Sequence, residues 1–150
     1  MMHRKALLFG DIEQAARIMR SNDPRSAKHL GRGVQGFEKS AWSKRARQIV
    51  EAGCLLKFAQ CPEAQRVLLA TGDRQLVEAS PHDQIWGIGL STSSAQAVAP
   101  SEWPGLNWLG HVLVRVREQL REAAATVASS KEGAAADGAV AAGTRKRKPR

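Results

Sequence analysis

Apolar residues recur every three or four positions in several segments of the chain, a spacing that is typical of amphipathic helices. The clearest segment begins at Lys39, where Trp42, Val50 and Phe58 would share one helical face. The predicted helical segments are residues 2–9, a segment that begins after Asp11, a short one from Pro24 to near Gly31, and residues 39–58, 63–70 and 109–121.

Two helix starts carry recognisable capping residues. Asp11 precedes an apolar face and has Gln14 three positions later, the spacing of a capping box. Asp23 is followed by Pro24, and proline is favoured at the first helical position. Both aspartates are therefore predicted N-caps.

The pattern changes after Gly72. Residues 75–79 are predicted to form a short strand, residues 85–90 a second extended piece, and residues 91–108, which are rich in Ser, Thr, Ala, Pro and Gly, a loop. We therefore expect an α+β fold that is mostly helical, in a compact single domain with a small sheet.

Composition sets the domain limits. The chain has 150 residues and a formal net charge of +9, which favours anionic partners. Beyond residue 125 there are almost no large apolar residues to offset the entropy of ordering. We expect one folded domain over residues 1–121 and a disordered basic tail over residues 122–150.

The sequence gives little sign of a disulfide, a metal site or a membrane segment. Cys54 and Cys61 would lie two turns apart on a continuous helix, too far for a disulfide, and no His or Cys cluster has the spacing of a zinc site. No segment is long enough to cross a membrane, and the apolar part of residues 1–10 is too short for a signal peptide. We expect a cytoplasmic protein that does not interact with membranes.

Residues 80–89 hold the strongest candidates for chemistry. Asp83 stands three residues before Trp86, and Gly87 and Gly89 would let the backbone approach a ligand closely. Asp83 can instead be an ordinary turn former, and Trp42, on the apolar face of its helix, can simply fill the core. Glu78 either faces solvent or joins Asp83 in acid–base work.

The residues before the last helix allow two interpretations. Exposed N–H groups at a helix N-terminus favour a phosphate, whereas Asn107 can simply cap the helix, which we favour slightly. The terminal run of Arg and Lys can contact nucleic acid weakly, or it can merely keep the tail soluble.

Short motifs follow one another in order along roughly residues 1–121. They are residues 5–11; Asp23-Pro24 with Ala27-Lys28 and Leu30-Gly31; residues 34–37 and Trp42; Lys57-Phe58 with Gln60; Thr71-Gly72; residues 76–80; Asp83 with residues 85–89; and Gly105, Asn107 and Gly110. This ordered set resembles the NADAR family, which includes the riboflavin-intermediate N-glycosidases.

The resemblance implies hydrolysis of an N-glycosidic bond. Some members of the family cleave phosphorylated ribosylamino-pyrimidines of the riboflavin pathway, and others remove ADP-ribose from guanine. The partner would be such a phosphorylated ribosyl or ADP-ribosyl small molecule, and no metal or organic cofactor is expected. By matching positions, Asp83 would be catalytic, while Lys5, Trp42, Trp86 and Asn107 would bind the substrate or shape its pocket.

The chain departs from the family at its start. Family members carry an earlier segment with strands and a glutamate a few residues before the lysine. The resemblance implies that this glutamate is a principal catalytic carboxylate, and it would fall before Met1. The resemblance therefore predicts an N-terminally truncated domain with little or no activity, whether the start is assigned too late or the chain is a remnant.

The sequence thus favours an N-glycosidase. The main alternative is an inactive domain that binds ADP-ribose or a nucleotide without turnover. A third hypothesis is a nonspecific nucleic-acid binder that works through its basic tail.

Overall fold

The computed structural model describes the backbone of residues 1–141 and the side chains of residues 1–130. Seven α-helices and one 3-10 helix, Pro100–Glu102, account for the regular structure of this part. The α-helices are α1 (Met2–Leu8), α2 (Ile12–Met19), α3 (Pro24–Arg32), α4 (Lys39–Gln60), α5 (Pro62–Ala70), α6 (Thr92–Gln96) and α7 (Trp108–Ala141).

Both predicted N-caps are confirmed. The backbone N–H of Gln14 donates to Oδ1 of Asp11 at 3.0 Å, and the backbone N–H groups of Arg25 and Ser26 donate to Oδ1 of Asp23. The Gln14 side chain does not return to the cap, because its Nε2 donates to the carbonyl of Leu30 at 2.6 Å. It therefore ties α2 to α3.

The helices pack around two apolar clusters. One joins α4, α5 and α7, and the other joins α1 and α2 with the residues that follow α3. Their buried members are Val50, Leu68, Val112, Val116 and Leu120 in the first cluster, and Ala6, Ala15, Ile18 and Val34 in the second. Burial of these apolar side chains is the main source of stability for the packed helices.

The predicted small sheet is wrong: residues 1–141 contain helices and irregular segments but no strand. Residues 75–79 and 85–90 share one backbone hydrogen bond, from the N–H of Ile88 to the carbonyl of Glu78, and so they form no strand ladder. The carbonyls of Ile85 and Trp86 instead accept from the N–H groups of Trp108 and Leu109. The first turn of α7 thus takes the acceptors that a sheet would have used.

Helix α7 continues to Ala141, whereas the sequence predicts a helix that ends at residue 121. The continuation is rich in alanine, the residue with the strongest helix propensity. The boundary of the tail at residue 122 stays a prediction, and residues 142–150, with the terminal basic run, lie outside the described residues. Within residues 1–141, no helix is long and apolar enough to cross a membrane.

Candidate functional site

A cavity of about 470 Å³ lies where the two apolar clusters meet. Helices α1, α3 and α4, the irregular segment after α5 and the first turn of α7 all contribute to its wall. The lining residues are Met1, Met2, Lys5, Lys28, Gly31, Arg32, Trp42, Val50, Glu78, Asp83, Trp86 and Leu109. This volume is in the range of small-molecule sites.

Two carboxylates, Glu78 and Asp83, line this cavity. Oδ1 of Asp83 accepts hydrogen bonds from the backbone N–H groups of Ile85 at 3.0 Å and Trp86 at 2.8 Å. The turn-forming role considered for Asp83 is therefore real, and it leaves Oδ2 without a hydrogen bond from the described residues. The Glu78 carboxylate likewise takes no hydrogen bond from this part of the chain.

Three cations, Lys5, Lys28 and Arg32, line the same cavity. Nζ of Lys5 donates to the carbonyl of Gly31 at 2.7 Å and lies 4.1 Å from the ring centroid of Phe37. Burial lowers the pKa of the Lys5 ammonium from its usual value. Lys28 and Arg32 are exposed and four residues apart on α3, so their side chains follow one another on one face.

Two indoles complete the wall. Trp42 comes from α4, and Trp86 follows the Asp83 turn. The Trp86 ring packs edge-on against Trp108, with ring centroids 5.6 Å apart and an interplanar angle of 89°. The guanidinium of Arg47 lies 4.9 Å from the Trp108 ring centroid. Trp86 is thus held by its neighbours, as a rigid binding surface requires.

Asn107 lies outside the cavity lining and is buried. Its Oδ1 accepts from the backbone N–H of Glu78 at 3.1 Å, and its Nδ2 donates to the carbonyl of Leu76 at 2.9 Å. The expected side-chain cap of α7 is therefore wrong, since both ends of the amide are used elsewhere. The alternative interpretation, a phosphate site at this helix start, stays a prediction, although the carbonyls of Ile85 and Trp86 already accept from the N–H groups of Trp108 and Leu109.

Gly87 lets its own backbone lie close to the carbonyls of Glu78 and Asp83. A Cβ added at this position would lie 2.8 Å from the carbonyl oxygens of both Glu78 and Asp83. The sequence suggested that this glycine lets the backbone approach a ligand, and in the structure it approaches these two carbonyls. The close contact joins the two carboxylate-bearing stretches.

The structure thus brings four of the predicted site residues to one cavity: Lys5, Trp42, Asp83 and Trp86. It leaves Asn107 behind the wall. Glu78, Lys28 and Arg32 also line the cavity, although the sequence did not single them out as site residues. The i, i+4 spacing of Lys28 and Arg32 was the available signal, but it is common on solvated helices.

Comparison with known proteins identifies the family. A family model described as "NADAR domain" matches residues 1–121. The chain belongs to the NADAR family, and the resemblance of the sequence motifs is confirmed.

Several known proteins are similar to this part of the chain. N-glycosidase R617 of Acanthamoeba polyphaga mimivirus is 45% identical over 119 residues, covering 79% of this chain and 70% of the relative. Protein irg-1 of Caenorhabditis elegans is 40% identical over 121 residues, covering 79% and 57%. N-glycosidase YbiA of Escherichia coli (strain K12) is 30% identical over 116 residues, covering 77% and 66%. The chain therefore spans between 57% and 70% of the lengths of these relatives.

Proposed function

We propose that this chain is an N-glycosidase domain that hydrolyses the N-glycosidic bond of a phosphorylated ribosylamino-pyrimidine or of ADP-ribosylated guanine. The observation that carries the proposal is one cavity that combines two carboxylates, two indoles and three cations. The names of the relatives agree with it, since they include N-glycosidases and riboflavin biosynthesis proteins.

The reaction sets clear requirements. The bond between the anomeric carbon of ribose and a base nitrogen breaks, and its electron pair leaves with the nitrogen, which takes up a proton. Positive charge develops on the ribose ring, and water forms the new bond to carbon while giving a proton to a base. A site for this chemistry needs negative charge beside the ribose and a group that transfers protons.

Asp83 and Glu78 would meet these requirements. Asp83 is anchored through Oδ1, so it can present the negative charge of its other oxygen in a fixed position beside the ribose. Glu78 has no hydrogen bond to its carboxylate from the described residues, so it is free to accept the proton of the attacking water. In this assignment Asp83 stabilises charge and Glu78 is the general base.

The other lining residues would bind the rest of the substrate. The indole faces of Trp42 and Trp86 suit a flat leaving base. Lys28 and Arg32 carry positive charge at the α3 side of the cavity, and Lys5 adds a third cation. This side would hold the phosphate or diphosphate, because charge-assisted hydrogen bonds to phosphate are strong.

The test incubates the purified chain with each of the two substrates and measures release of ribose 5-phosphate or ADP-ribose by mass spectrometry. Slow release from at least one substrate is expected, since the resemblance predicts little activity, and a chain carrying both Asp83→Asn and Glu78→Gln should show none. N-glycosidase R617 serves as the assay reference. If the reference turns over and this chain releases neither product, the proposal fails.

Binding provides the second readout. Saturable quenching of tryptophan fluorescence by ADP-ribose without product release from either substrate would support the alternative, a binding domain without turnover. Turnover that survives in the double variant would refute the assignment of the two carboxylates.

A further inference from the structure

The stretch that carries Glu78 to the cavity has no regular secondary structure, so side chains must fix its path. Residues 74–78 follow α5, and their backbone groups are bound by two buried residues of the α7 region, Asn107 and Arg117. Each is only 3% exposed. Their burial and their hydrogen bonds to backbone atoms point to a role in positioning.

Asn107 contacts both stretches that bear carboxylates. Its side chain holds the backbone N–H of Glu78 and the carbonyl of Leu76, at 3.1 and 2.9 Å. Its own backbone N–H donates to the carbonyl of Gly87 at 3.0 Å, one residue beyond Trp86. One residue therefore spans the stretch of Glu78 and the stretch of Asp83 and Trp86.

The backbone of Asn107 explains why this residue type suits the position. Its φ is +48°, in the left-handed region that asparagine tolerates better than most residues. Gly110 also permits a close approach, because a Cβ there would collide with the carbonyl of Leu76 and the amide of Asn107. The Asn107 amide is therefore tightly packed against the backbone of Gly110.

We propose that Asn107 is a positioning residue: through the backbone N–H of Glu78, it sets the Glu78 carboxylate relative to Asp83. This inference rests on the proposed function, in which Glu78 is the general base. It differs from the expectation that Asn107 binds substrate, since Asn107 does not line the cavity. Proton transfer by a carboxylate depends steeply on its placement.

Arg117 anchors the same stretch one step upstream. Its Nη1 donates to Oγ1 of Thr71 at 2.8 Å and to the carbonyl of Arg74 at 2.9 Å. The backbone is thus held at Arg74, Leu76 and Glu78 by side chains of Asn107 and Arg117. Arg117 supports the stretch, whereas Asn107 holds Glu78 itself.

The test is a double-mutant cycle in the full chain with Asn107→Gly and Glu78→Gln. Glycine adopts the positive φ without strain, so the substitution removes the amide and keeps the backbone. Asn107→Gly should lower kcat about 30-fold and change KM less than about threefold, as expected for misplacement of a catalytic group. In the Glu78→Gln background the same change should lower kcat less than about threefold, because coupled residues are not additive.

The conservative variant is Asn107→Asp, which keeps an oxygen acceptor for the Glu78 N–H and loses the donor to Leu76. Its kcat should lie between those of the wild type and Asn107→Gly. Ser21→Ala is the matched control. Like Asn107→Asp, it deletes one side-chain hydrogen bond to a carbonyl, here the bond from Ser21 to Ile18 on α2. This control should leave kcat unchanged.

Amide hydrogen exchange gives a readout that does not require activity. Asn107→Gly should speed exchange in the peptide that contains Glu78 more than tenfold, with no change in α1–α3. Unchanged exchange there, additive effects on kcat, or a rise in KM as the main effect would overturn the positioning role. A wild type without turnover on either substrate would refute the proposed function, while the exchange result would still decide whether Asn107 fixes this stretch.

Discussion

Oδ1 of Asp83 lies 2.8 Å from the backbone nitrogen of Trp86 and accepts its hydrogen bond. The same oxygen accepts from Ile85, so one half of the carboxylate closes the turn that carries the indole. The other half has no hydrogen bond from the described residues. Asp83 therefore combines a structural role with the charge proposed for catalysis, and the two roles can be separated by substitution.

Asp83→Asn should separate these two roles. The amide keeps an oxygen that can accept from Ile85 and Trp86, so the turn and the melting temperature should change little. Loss of the negative charge should lower kcat/KM about 100-fold or more, the range for a group that acts directly in such a reaction. Product release and thermal unfolding measured on the same preparation check both parts.

Asp83→Ala is the contrasting variant. It removes both hydrogen bonds, so the free energy of unfolding should also fall by about 1–3 kcal/mol. Equal stability of Asp83→Ala and the wild type would show that the turn does not depend on the carboxylate. Equal activity of Asp83→Asn and the wild type would exclude its charge from the reaction.

Helix positions were predictable where the signal is local. Asp23 and Pro24 are adjacent in sequence, and the cap that they form depends on contacts within one turn. The sequence predicts residues 75–79 and 85–90 to be extended, and their irregular structure was not predictable from it. Their backbone partners are Asn107 and the first N–H groups of α7, about 20 to 30 residues away, and no local pattern records such a contact.

The role of Trp42 in binding can be tested with a matched tryptophan. Trp42 lines the cavity, whereas Trp103 does not. Trp42→Leu should raise KM about 10-fold and change kcat little, because stacking on a flat base contributes binding energy of that size. Steady-state kinetics on the better of the two substrates measures it.

Trp103→Leu is the control for that experiment. The buried Nε1 of Trp103 finds no hydrogen-bond partner within the described part of the chain, so its loss removes no hydrogen bond. We expect KM to stay at the wild-type value. A similar rise of KM in both variants would point to a general loss of packing and would remove Trp42 from the binding site.

The cations on α3 should govern affinity for the anionic part of the substrate. Lys28→Glu and Arg32→Glu should each raise KM about 10-fold and weaken the dependence of kcat/KM on salt, since the attraction to phosphate is electrostatic. Arg66→Glu makes the same change of charge at an exposed position of α5 outside the cavity. If Arg66→Glu has an equal effect, net charge and not the cavity determines affinity.

The candidate site was predictable only in part. Asp83 and Trp86 are three residues apart, so their association is visible in the sequence. Glu78 and Lys28 reach the same cavity from an irregular stretch and a helix that are 50 residues apart. Because their side chains converge only through packing of the helices, the sequence does not show that they belong together.

Lys5 provides a test of pH dependence. Burial lowers its pKa below 10.5, so at pH values between the lowered pKa and 10.5 the unfolded chain holds more protons than the folded protein. Stability therefore increases with pH in this window. The free energy of unfolding of the wild type, relative to Lys5→Met, should rise with pH within this window, as measured by urea unfolding. Lys5→Arg stays protonated throughout and should show no such rise, and a fall for the wild type would contradict the effect of burial.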